Sequence, residues 1–195
     1  MSVSIQYLAN RFATSYHGPI KWGNDLLTSK GGVYMATLPF KTNEFRYNAE
    51  AIDNWIVSAS LTMTKAQIVT LLSSYWLHDE TIVYIGSANH MQTIRNRVYD
   101  YYGTPLGVSK GRYTHAGGEW IKTLKDLNEI EIYWIDDIPS SFATPALLED
   151  AMITEFATVT TSIYPSSPRY PGLCLPYANR KGKYAGRSYR KLPVR

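Results

Sequence analysis

Three short stretches, residues 31–38, 81–86 and 129–135, concentrate β-branched and aromatic side chains. The first follows a glycine pair and precedes Pro39, the second ends at Gly86, and the third alternates apolar with polar positions. Runs of that length and punctuation read as strands. Between the first two, Thr64 stands ahead of Ile68, Leu71, Leu72, Tyr75 and Trp76. This i, i+3, i+4, i+7, i+8 spacing places one apolar stripe on a capped helix. A chain that separates strands by helices in this way is constrained to an α+β fold with a small sheet.

The remaining segments extend that order. After Gly86, Ser87 or Asn89 is expected to cap a helix whose buried face is Met91, Ile94, Val98 and Tyr101, with Gly103 as its stop. Residues 41–54 show no period and read as loop, as do residues 103–118. A short helix is expected over 119–127. Thr144-Pro145 supplies a cap and a first-turn proline for a helix reaching about Ala157. Residues 164–176 read as extended loop.

Composition narrows the class. The 195 residues are 45% hydrophobic and 13% aromatic, too much apolar surface for a chain that stays disordered. No apolar stretch reaches the roughly 18 residues of a spanning helix, so no membrane association is expected. The first eleven residues lack the apolar centre of a secretory signal, and the lone Cys174 permits no internal disulfide. A cytoplasmic location is therefore expected. Length suits one domain, residues 1–179, followed by a tail.

Charge is unevenly distributed. Net charge is +4, yet residues 180–195 hold seven basic side chains and no acid, leaving 13 basic against 16 acidic groups before them. In the tail, Arg180, Lys181 and Lys183 lead a series interleaved with Tyr184 and Tyr189. A second basic cluster contains Arg95, Arg97, Lys110 and Arg112, with His115 beside them. Two such clusters point to a polyanion, and nucleic acid above a small anion.

Gly32-Val33-Tyr34 on the first strand, Tyr84-Ile85-Gly86 on the second, Arg97 on the next helix and Glu149 within a late helix follow one another in a definite order. In that order the chain resembles the GIY-YIG endonuclease family over roughly residues 31–158, most closely its stand-alone type II restriction enzymes. The resemblance implies a three-stranded antiparallel sheet flanked by helices, with a helical insertion at about 41–80 and the basic tail at 180–195. It also implies sequence-specific hydrolysis of double-stranded DNA. Tyr84 would act as general base on a water, and Tyr34 would hydrogen-bond that water or Tyr84. Arg97 would hold the phosphate, Tyr101 one turn beyond it would assist, and Glu149 would be the protein ligand of Mg²⁺ or Mn²⁺.

On a helical wheel Glu149 lies at the edge of the apolar arc and Asp150 faces further out, while Glu155 falls inside the arc and stays open. The family pattern selects Glu149. Arg95, Lys110, Arg112, His115, Asn179, Arg180, Lys181 and Lys183 are the expected DNA contacts. Asn179 stands in for an asparagine the family carries nearer the glutamate, where this chain has Thr161. The 49 residues between the two tyrosine motifs exceed the usual hairpin, and Arg97 arrives about three residues late. Cutting both strands would require a homodimer at least on DNA, and a restriction enzyme would be paired with a methyltransferase for the same site. A repair or homing nuclease and a non-catalytic DNA-binding module are the alternatives.

Overall fold

A computed structural model describes residues 2–89, 92–106, 119–164 and 174–179. Lys110, Arg112, His115, Arg180, Lys181 and Lys183 lie outside the described residues. The elements are α1 (Ile5–Arg11), β1 (His17–Lys21), β2 (Gly32–Thr37), α2 (Ala49–Ser58), α3 (Lys65–Ser73), β3 (Ile82–Ala88), α4 (Ile94–Gly103), β4 (Glu131–Ile135) and α5 (Pro145–Ile163). Two 3₁₀ turns, Glu119–Thr123 and Leu127–Glu129, lead into β4. Among the described residues no helix is long and apolar enough to cross a membrane.

The class is α+β, but the sheet has four strands rather than three, in the order β1-β4-β2-β3, with every pairing antiparallel. The extra strand, His-Gly-Pro-Ile-Lys, sits at the edge, is mostly exposed, and carries a bulge between His17 and Ile20. It has no apolar run to betray it, and an edge is where a strand tolerates proline.

Side chains of the central strands alternate between two layers. Tyr34, Ala36, Tyr84, Ala88, Ile132 and Trp134 face a cluster built with α2, α3, α4 and the first 3₁₀ turn. Val33, Met35, Ile85 and Ile135 face a second cluster closed by α1 and α5. The sheet therefore lies between two helical layers.

Residues 41–54 are not all loop. Asn48 caps α2 by accepting from the Ala51 N–H, and α2 buries Ile52 and Trp55 against α3 and the 3₁₀ turn. Its apolar positions Ile52, Trp55, Ile56 and Ala59 have helical spacing, but only Ile52 falls within residues 41–54, so the period is not visible inside that stretch. The helix starting at Thr64 forms as expected. Thr64 and Gln67 close a reciprocal capping box, and Ile68, Leu71 and Leu72 are buried. Residues of the 41–80 segment are thus packed into the same core as Tyr34 and Tyr84.

The strand after Tyr84 also runs further than expected. Ala88 pairs with Gly32, so β3 extends past Gly86, and the next helix is capped by Thr93 rather than Ser87 or Asn89. That extension places Arg97 in the first turn of α4. The 119–127 segment forms 3₁₀ turns instead of a helix, and α5 continues six residues beyond Ala157 to Ile163.

Trp55→Ala is expected to lower unfolding free energy by about 3–5 kcal/mol in a urea titration. Val57→Ser, at a position 79% exposed, is expected to change it by less than about 0.5 kcal/mol. Equal effects would contradict the burial of α2.

Candidate functional site

Pairing register builds the site. Across one rung of the sheet, His17 lies opposite Trp134, Trp134 opposite Tyr34, and Tyr34 opposite Gly86. Tyr84 is two residues before Gly86 and so faces the same layer. Tyr101 reaches that layer from α4. The three rings form a cluster with centroid separations of 6.0 Å (Tyr34–Tyr84), 6.4 Å (Tyr34–Tyr101) and 5.2 Å (Tyr84–Tyr101). None is more than 5% exposed.

Gly86 makes this closeness sterically allowed. A Cβ there would lie 2.6 Å from Tyr84 Cε1, 2.8 Å from the Tyr84 hydroxyl and 2.9 Å from Tyr34 Cζ. The polar ends of both motif tyrosines therefore converge over this glycine. Gly32 has a comparable role at the end of β2, where a Cβ would fall 2.1 Å from the Ile135 carbonyl oxygen and 2.7 Å from Ile94 Cδ1. It lets α4 start against the sheet.

Two charged groups complete the set. Ser87, the residue after Gly86, faces the other layer and donates its hydroxyl to Glu149 Oε2 on α5. Tyr34 hydrogen-bonds with Tyr84 and Arg97, and the charges of Arg97 and Glu149 both act on Tyr34 and Tyr84. Tyr34, Tyr84, Arg97, Tyr101 and Glu149 thus come together from β2, β3, α4 and α5, although α4 and α5 lie on opposite faces of the sheet. The rival Glu155 is occupied elsewhere. It accepts from the Tyr7 hydroxyl at 2.5 Å and pairs with Arg11 Nε at 3.4 Å, tying α1 to α5.

Burial is the largest influence on all three phenols and raises their pKa. For Tyr84 the neighbouring Tyr34 and the Glu149 carboxylate push in the same direction, and Arg97 opposes them. For Tyr34 the opposition of Arg97 ranks second to burial.

Among the described residues no three His, Cys, Asp or Glu side chains converge as a metal cage. The cluster contributes one carboxylate with hard oxygens, Glu149, which also accepts from Ser87. That fits a Mg²⁺ or Mn²⁺ ion held by a single carboxylate, with water and substrate oxygens completing its shell.

Two expected DNA contacts have other partners. Asn179 is buried; its Oδ1 accepts from the Ile85 N–H at 2.9 Å and its Nδ2 donates to the Ile85 carbonyl at 2.8 Å. It imitates a neighbouring strand along the outer edge of β3 and clamps the residue between Tyr84 and Gly86, so it is a positioning residue rather than a DNA contact. Ala178 continues this edge by donating its N–H to the Val83 carbonyl. Arg95 grips Asp25 with two hydrogen bonds, Nε–Oδ1 at 2.8 Å and Nη2–Oδ2 at 2.5 Å.

Sequence reasoning missed Ser87 and His17. Strand alternation beyond Gly86 would have found Ser87, since it had to face the layer opposite the tyrosines. His17 carried no signal. Its imidazole stacks on Trp134 at 5.5 Å, and its Nε2 lies 3.2 Å from Asp136 Oδ1, whose partner oxygen accepts from Thr28 Oγ1.

No protein-family model, curated protein or solved structure matches this chain.

Asn179→Ala should cost about 1–3 kcal/mol in urea unfolding, because it strands the Ile85 amide and carbonyl; an unchanged midpoint would refute the clamp. The raised phenols also fix a sign for alkaline stability. A folded pKa above the unfolded value of about 10 gives stability that is whole below that pH and is lost as pH rises toward the folded value. The melting temperature should therefore fall above about pH 10. Tyr101→Phe should flatten that fall.

Proposed function

We propose that the chain is a sequence-specific, metal-dependent endonuclease of double-stranded DNA. The observation that supports this reading is that Tyr34, Tyr84 and Tyr101 cluster beside Gly86 while the charges of Arg97 and Glu149 both act on Tyr34 and Tyr84. Phosphodiester hydrolysis requires a base for water, a fixed cation for the phosphate and an anionic ligand for a divalent ion.

Tyr84 takes the proton of the attacking water, and Tyr34 orients it through their shared hydrogen bond. Arg97, with its permanent charge and forked donors, binds the non-bridging phosphate oxygens and favours the Tyr84 phenolate against burial. Tyr101 packs both rings in place. Ser87 fixes the rotamer of Glu149. When bound, a divalent cation on Glu149 supplies charge neutralisation at the phosphate and offsets the carboxylate that otherwise holds Tyr84 protonated. Cleavage of both strands assigns one such site to each member of a homodimer, and a methyltransferase of the same specificity would protect host DNA.

One observation favours a second reading. Three phenols this deeply buried are also what a purely structural aromatic core looks like, as in a DNA-binding module without cleavage.

Incubation with unmethylated phage DNA separates the two. Under the nuclease reading, Mg²⁺ yields discrete fragments, EDTA abolishes them, Glu149→Ala loses at least about 10²-fold in rate, and Glu155→Ala retains activity. DNA retained at low salt without any cutting would support the binding module. The pH profile tests the base. Below the raised pKa of Tyr84 the phenolate fraction grows tenfold per unit, so single-turnover cleavage should climb about tenfold per pH unit between about 6.5 and 8.5. A flat profile would remove Tyr84 from that role.

A further inference from the structure

Of the five residues in the first 3₁₀ turn, Glu119–Thr123, all but Lys122 are buried. Lys122 is half-buried and brings a charge into that environment. Its ammonium donates to the Tyr102 carbonyl at 3.2 Å and to the Thr104 carbonyl. Both lie at the end of α4, where a helix leaves its carbonyls without donors of its own. Among the described residues no carboxylate pairs with this lysine, and burial pulls its pKa down to about 8. The folded value lies below the unfolded value of about 10.5, so the lysine costs stability below about pH 8, and that cost fades as pH rises toward 10.5.

The next residue reaches the other side of the tyrosine cluster. Thr123 gives its single hydroxyl proton to the Trp120 carbonyl at 2.6 Å, so the tyrosine donates in the 2.7 Å contact between the Tyr177 hydroxyl and Thr123 Oγ1. Tyr177 is buried and belongs to the cluster's surroundings: burial and Tyr34 raise the Tyr101 phenol most, and Tyr177 raises it further. The two residues after Tyr177 are bound to β3, Ala178 through the Val83 carbonyl and Asn179 through both backbone groups of Ile85. The turn itself is fixed, with Trp120 stacked on Tyr75 at 5.3 Å and the Thr123 carbonyl accepting from the Asn48 N–H at 2.7 Å. The Tyr84 and Tyr101 rings, 5.2 Å apart, thus stand on two elements tied to the same turn.

We propose that Lys122 is a positioning residue for cleavage: by tethering the end of α4 to the 119–123 turn, it fixes Tyr101 against Tyr84. The inference rests on the nuclease reading above. Arg97 and Tyr101 share α4, so the tether sets the phosphate-binding arginine and the packing tyrosine together. Lys122 touches neither substrate nor the reacting atoms and acts only through the helix. Replacing a buried charge by an apolar side chain of similar size is often neutral or stabilising, whereas a misplacement of about 1 Å in a reacting site costs about 10²-fold in rate. Removal of Lys122 therefore separates stability from activity, which removal of an ordinary structural contact does not.

The test compares wild type with Lys122→Met, which keeps an apolar stem and removes the tether, and with Lys122→Arg, which restores charge and donors. Lys125→Met, at an exposed position of the same segment, controls for loss of charge alone. Melting temperature at pH 7, duplex affinity with Ca²⁺ in place of Mg²⁺, single-turnover cleavage of bound duplex, and alkaline titration of the phenols by ultraviolet absorbance are measured. Lys122→Met should melt at the wild-type temperature or above and bind DNA as wild type does. It should cleave at least about 10-fold more slowly and ionise its buried phenols at lower pH. Lys122→Arg should regain most of the rate, and Lys125→Met should match wild type. The inference is overturned if Lys122→Met melts earlier at pH 7, if its phenols ionise as in wild type, or if its cleavage rate is unchanged. If wild type binds duplex without cutting it, the nuclease reading fails, and the phenol titration still decides whether the tether positions Tyr101.

Discussion

The pairing of Tyr34 with Gly86 across β2 and β3 is the contact on which the rest of the site depends. Side chains opposite one another in an antiparallel pair stand only about 5 Å apart. A tyrosine on each of two adjacent strands could not bring its hydroxyl over that point if the facing residue had a side chain. Gly86 removes the obstruction, and the Tyr84 hydroxyl and Tyr34 ring fill the space a Cβ would need. A slip of β3 by one residue against β2 would send Tyr84 to the α1/α5 layer and leave Tyr34 behind. The chain protects the register from both sides. β4 holds β2 on one edge, and Asn179 holds the Ile85 backbone on the other.

The same arrangement explains how groups on opposite faces of a sheet act on one spot. Gly86 belongs to the tyrosine layer and Ser87 to the α5 layer, so one peptide step crosses the sheet. Arg97 approaches from one side on α4, and Glu149 from the other on α5 through Ser87. Burial raises the three phenols, Glu149 raises Tyr34 and Tyr84 further, and Arg97 pulls both down. Burial therefore dominates the electrostatic state of the cluster, and two side chains from helices on opposite faces of the sheet push Tyr34 and Tyr84 in opposite directions.

Electrostatics also sorts the basic residues. Arg95 and Arg97 are two positions apart on one helix, and their sequence context is nearly the same. A rotation of about 200° along the helix turns one toward the tyrosines and the other toward Asp25. Composition saw two cations in a basic cluster, whereas the fold gives one to the site and ties the other to Asp25.

Much of the architecture was legible in the chain. Strands β2, β3 and β4 and helix α3 each carry a period or run long enough to outweigh local noise, and the order of Tyr34, Tyr84, Arg97 and Glu149 could be read directly. What escaped were elements whose evidence is not local. β1 is an exposed edge strand, recognisable only by its partner β4, and the apolar face of α2, Ile52, Trp55, Ile56 and Ala59, begins only at the end of the stretch that reads as loop. The start of α4 was hidden because Ala88 is claimed by Gly32, 56 positions earlier in the chain. Partners decided the remaining choices. Glu155 meets Tyr7 and Arg11, Asn179 meets Ile85, and Arg95 meets Asp25, none of which is near its partner in sequence. Residue type and spacing determined which chemistry the side chains are capable of. Only the tertiary structure decided which of them are aimed at the same point, because that depends on contacts between segments that periodicity within one segment does not encode.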